Sequence, residues 1–118
     1  VILQDLVDKY NHVISEIKTL GEFFDISGKK KLLSEIQQKL ADNTLWQDGS
    51  SQQYLELTKQ LQDVQKSLDV YNKIEFLKQE IETILELSKE IKENYLETEF
   101  KNYLAELERI VIQLKTTI

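Results

Sequence analysis

The chain has 118 residues, the size of one domain; 41% are apolar and 31% charged, enough for a core and a broad solvated face. No proline and only three glycines, Gly21, Gly28 and Gly49, leave too little punctuation for a loop-rich or sheet-rich fold, and the Glu, Lys, Gln, Leu and Ile bias points to an all-α chain of long amphipathic helices. The absence of cysteine excludes disulfides and thiolate metal sites and fits a reducing cytosol, the net charge of −6 works against nucleic-acid binding by the chain as a whole, and no apolar run approaches the ~18 residues of a membrane span.

The first predicted helix covers 2–20. Leu3, Leu6, Val7, Tyr10, Val13, Ile14, Ile17 and Leu20 recur in steps of three and four and make one apolar stripe. Gly21 follows the stripe and is expected to cap the helix in the left-handed conformation. His12 lies off the stripe as a surface residue; without cysteine or a second histidine it is a poor metal ligand. After Phe23-Phe24, Asp25 or Ser27 offers an oxygen to cap a second helix over 26–40. Leu33, Ile36 and Leu40 point inward there, while Lys29, Lys30, Lys31, Glu35 and Lys39 lie largely outward. Residues 41–50 break the pattern: Asn43, Asp48, Gly49 and Ser50 are turn formers around Leu45-Trp46, with Trp46 expected to plug a bundle end.

A third helix is predicted over 51–92. Its stripe of Leu57, Leu61, Val64, Leu68 and Tyr71 slips in phase before Ile74, Leu77, Ile81 and Ile84. Asn94 with Glu97 reads as a capping box that opens a fourth helix over 95–116. Leu96, Phe100, Tyr103, Leu107, Ile110 and Leu114 form its heptad, so the last two helices are expected to pair as an antiparallel coiled-coil hairpin. The expected organisation is one helical domain over 1–118, with two shorter helices and the Trp loop in 1–49 and the hairpin in 50–118.

No chemistry-bearing motif appears. There is no Gly-x-Gly-x-x-Gly, no phosphate-binding loop and no Ser/His/Asp set. Carboxylates such as Glu80, Glu82, Glu90 and Glu93 fall at outward helix positions, where solubility and weak i,i+4 pairs explain them. The chain is therefore expected to be non-catalytic, with no cofactor and no metal. Physics alone leaves open a tethering or protein-interaction module and the tRNA-binding arm of a synthetase, although such an arm usually carries more basic residues.

Residues 20–33 read Leu20-Gly21-Glu22-Phe23-Phe24-Asp25-Ile26-Ser27-Gly28-Lys29-Lys30-Lys31-Leu32-Leu33. A helix ending at Leu-Gly, an aromatic residue with Asp, a Lys a few residues on, and then the apolar–Trp pair Leu45-Trp46 followed by Gln47-Asp48 resemble the N-terminal domain of bacterial peptide chain release factor 2. The resemblance extends over essentially the whole chain. Its most specific parts are Phe24, Asp25, Lys29, Leu45 and Trp46. At Asn43 the chain departs from a proline common in that family.

The resemblance implies a translation factor that, in full length, directs peptide release at UAA and UGA stop codons in the bacterial cytoplasm. Codon reading there uses Ser-Pro-Phe and catalysis uses Gly-Gly-Gln; this chain has no proline and no adjacent glycines, so it carries neither. The implied partners are the ribosome near the large-subunit stalk base, the class 2 release-factor GTPase and the remaining domains of the factor, with no membrane. Lys29, Lys30 and Lys31 are the candidate contact to ribosomal RNA. Weak self-association of the isolated chain through the last two helices is also expected.

Overall fold

The computed structural model describes residue 2, residues 4–42 and residues 52–117, with the side chains of 22–24 and 117 excepted. In chain order it contains α1 (Gln4–Phe24), α2 (Ile26–Ala41), α3 (Gln52–Ser88) and α4 (Asn94–Thr117), with no strand among the described residues. The all-α expectation is borne out, and each helix lies close to its expected span.

The chain forms two compact units. One comprises residues 1–23 and 72–118, the other 24–71. Helix α3 serves both, giving residues 52–71 to one and 72–88 to the other. Its buried stripe accordingly shifts: Leu57, Val64 and Leu68 are buried in the first stretch, and Ile74, Leu77, Ile81 and Ile84 in the second. At 100° per residue the six-residue step from Leu68 to Ile74 turns the stripe by about 240° around the helix. This is the slip of phase visible in the sequence.

The unit of 1–23 and 72–118 packs three helices. Ile2, Leu6, Tyr10 and Val13 of the N-terminal segment are buried, as are Leu96, Phe100, Leu104, Leu107, Ile110 and Val111 of α4. The Tyr10 and Phe100 rings meet edge to face, 6.2 Å apart at 68°, a geometry that adds to burial because ring edge and ring face carry opposite partial charges. The α4 face is wider than the predicted heptad. Leu104 and Val111 join it, while Tyr103 and Leu114 are only half-buried. The cause is that α4 meets both α1 and α3, and a helix with two neighbours buries a broader stripe than a two-stranded seam.

The other unit is built on Ile36 of α2 against Leu57, Val64 and Leu68 of α3, with Ile26, Leu33, Leu40 and Leu61 around them. The inward positions expected for α2 are those found.

Two boundaries differ from expectation. Gly21 does not end α1; the helix continues through it to Phe24. Helix α3 stops at Ser88 rather than near 92. There Ser88 Oγ donates to the Leu85 carbonyl at 2.8 Å, and Lys89 and Glu90 donate three residues back, at 3.3 and 3.1 Å. A side chain competing for a backbone carbonyl and a tightened last turn are common ways to finish a helix without glycine or proline. Asn94 is itself the first helical residue of α4, with Glu97 in the first turn, where its charge suits the positive end of the helix.

Candidate functional site

The most informative local geometry surrounds Asp25. It is the single residue between α1 and α2, and its backbone is left-handed (φ 43°, ψ 66°). Asp tolerates this region better than most residues because its short side chain finds local hydrogen bonds. Asp25 thus performs two tasks. Its left-handed backbone separates the helices, a role glycine usually fills, and its carboxylate accepts the Gly28 N–H at 3.1 Å, capping α2. Its carbonyl accepts the Lys29 N–H at 3.0 Å, which starts the helical ladder.

Gly28 belongs to the same arrangement. A Cβ there would stand 2.2 Å from Asp25 Oδ2 and 2.7 Å from its Cγ. With Asp25 left-handed, the capping carboxylate folds into the space a side chain at 28 would occupy. Sequence reasoning offered Asp25 and Ser27 as alternative caps; a glycine three residues after the aspartate was the available signal for Asp25.

Lys29, Lys30 and Lys31 follow within the second turn of α2. Lys29 is half-buried, while Lys30 and Lys31 are exposed. Consecutive helical residues fan around the axis by about 100° each, so the three ammonium groups do not share one face. The first turn of α2 holds no acidic residue; the nearest carboxylate in sequence is that of Asp25. Positive charge close to the positive end of a helix is not what helix stability favours. Of the remaining signature residues, the Phe24 side chain and both Leu45 and Trp46 lie outside the described residues. Among the described residues, the structure joins Asp25 to Lys29 in one turn.

His12 is exposed and pairs with Glu16 at 2.9 Å. Glu16 also reaches Lys115 of α4. Among the described residues, no group of three or more His, Asp or Glu side chains is placed to hold a metal ion, and no helix is long and apolar enough to cross a membrane.

Peptide chain release factor 2 of Kosmotoga olearia is 30% identical to this chain over 116 residues, which cover 98% of the chain and 28% of that relative. The resemblance to release factor 2 holds along the chain. It takes in the Asp25 turn, both units and all four helices rather than one motif. The chain spans little more than a quarter of the length of the release factor it matches. No family model and no solved structure matches it.

Proposed function

We propose that the chain is the N-terminal helical domain of a type 2 peptide chain release factor, an accessory module of translation termination. The observation that carries this reading is the match over 98% of the chain to a protein of which it covers only 28%. A piece covering 28% of a release factor, with no proline and no adjacent glycines, holds neither the Ser-Pro-Phe nor the Gly-Gly-Gln element. Stop-codon reading at UAA and UGA and peptidyl-tRNA hydrolysis then belong to the rest of the factor, and the domain itself is non-catalytic. Its surroundings would be the cytoplasmic ribosome near the large-subunit stalk base, the class 2 release-factor GTPase and the factor's other domains.

Within that role the basic turn of α2 contacts ribosomal RNA. Lys30 and Lys31 are exposed and Lys29 is half-buried, so the first two carry most of the contact. Each phosphate neutralised adds a little under 1 to the slope of log affinity against log salt. Reversing all three charges in the full-length factor should reduce the slope for ribosome binding by roughly 1 to 2. An unchanged slope, with the variant folded, removes the RNA contact. Loss of release at every stop codon in the parent factor would instead remove the termination reading and leave a helical tethering module unrelated to translation.

A further inference from the structure

Within the unit of 1–23 and 72–118, one flank of the α3–α4 pair carries exposed apolar side chains. The two helices run antiparallel: Ile2 lies beside Ser88 and Leu96 at the turn, while Tyr10 meets Phe100 of α4 and faces Glu82 and Glu75 of α3. Helix α1 thus occupies the side marked by Glu75, Glu82 and Lys115. Lys73 and Glu106 mark the other side. The Glu106 carboxyl is held below its ordinary value chiefly by its hydrogen bond with Arg109, with the charge of Lys73 across the pair adding to this.

From Lys73 the same flank of α3 continues through Phe76, Glu80, Leu87 and Ile91, in steps of three, four, seven and four. From Glu106 it continues back along α4 through Tyr103, Glu99 and Tyr95, in steps of three, four and four. Such steps keep residues on one side of a helix. Ile91 stays in register beyond the end of α3 because its N–H still donates to the Leu87 carbonyl, at 2.8 Å.

This flank is apolar where a surface should be polar. Phe76 is 48% exposed, Tyr95 54%, and Leu87 and Ile91 each 39%. They lie on one side of the α3–α4 pair, and exposed apolar residues gathered on one side mark a binding surface. The Lys73 ammonium lies 5.5 Å from the centre of the Phe76 ring, so that ring already accepts a cation on its face. Arg109 pairs with Glu106, which leaves Glu80 and Glu99 on the flank against Lys73, a small acidic surplus.

We infer that the α3–α4 groove opposite α1 binds an amphipathic basic helix of another protein, which lays Leu- or Ile-type side chains against Phe76, Leu87, Ile91 and Tyr95 and pairs its Lys or Arg residues with Glu80 and Glu99. Three helices with one open groove become four, the helix-in-groove mode of recognition. The acidic surplus selects this occupant over a second copy of the chain, whose identical flank would bring like charges together. The inference goes beyond the termination role and stands without it.

The test uses the 118-residue chain and a synthetic amphipathic peptide of Leu and Lys at helical spacing, with a Leu/Glu peptide of the same pattern as control. Saturable binding of the Leu/Lys peptide is expected, with amide shifts concentrated at 73–80, 87–91 and 95–106, and no binding of the Leu/Glu peptide. Combining F76S, L87S and Y95S should weaken binding by about tenfold or more while all carboxylates remain. E80K with E99K, which leaves the apolar row intact, should transfer preference to the Leu/Glu peptide. Equal binding by the parent and the serine variant would show attraction by net charge alone and overturn the proposal. So would shifts confined to other faces, or concentration-dependent shifts of the same residues without peptide, which would assign the groove to a second copy.

Discussion

At Asp25 a single side chain and a single backbone conformation join two helices. Replacing it with alanine removes the bond to the Gly28 N–H, worth about 1 kcal/mol, and leaves a residue with no local hydrogen bond in the left-handed region, at about 1–2 kcal/mol. Asp25→Ala should therefore destabilise the chain by about 2–3 kcal/mol, and Asp25→Asn, which keeps both features, by less than about 0.5. Urea denaturation separates the two; equal losses for Ala and Asn would mean that the carboxylate's charge rather than its geometry matters. Gly21 makes the opposite case. It lies inside α1, and a Cβ there meets nothing within 4 Å. Gly21→Ala should raise stability by about 0.5–1 kcal/mol, since alanine loses less entropy in a helix. A fall in stability on the same substitution would restore the capping role that the sequence suggested for Gly21.

At the scale of helices, the elements were legible because the stripes are long and strongly periodic. What was not legible has physical causes. Helix α1 runs through Gly21 because the left-handed residue that ends it is Asp25, four positions later; glycine permits a cap without requiring one. Helix α3 ends at Ser88 through a side-chain bond to its own backbone, which no breaker residue announces. The heptad of α4 was real but too narrow, since a periodic pattern cannot show that α1 would add itself as a second neighbour and bury Leu104 and Val111. The basic turn was visible as Lys29–Lys31, yet the fanning of the three side chains appears only once they are on a helix. The sequence suggested that the last two helices could associate, but not that Phe76, Leu87 and Ile91 share a side with Tyr95, because Tyr95 stands on the next helix.

The packing of α1 against α3 and α4 has a pH signature. The Tyr10 hydroxyl is buried without a hydrogen bond of good geometry among the described residues. Burial first, and then the negative charge of Glu82, push its pKa above the ordinary 10.0. The folded chain therefore holds this proton more tightly than the unfolded chain does. The resulting stabilisation is complete below about pH 10 and is lost as pH rises beyond it. Circular dichroism should show helix content falling above that pH in the parent chain and persisting further in Tyr10→Phe. Identical alkaline profiles would contradict the packing described for Tyr10.

At the scale of the whole molecule, the two units and four helices make a scaffold whose distinctive chemistry lies on its surfaces: the capped basic turn of α2 and the acidic, apolar groove between α3 and α4. The central claim is that this scaffold serves a release factor as an accessory domain. The most direct test is peptide release from stop-programmed ribosomes, comparing the 118-residue chain with the product of its entire reading frame. The entire product should release peptide at UAA and UGA but not at UAG, and the chain alone should release none. Release by the chain alone, or no release at any stop codon by the entire product, would contradict the claim.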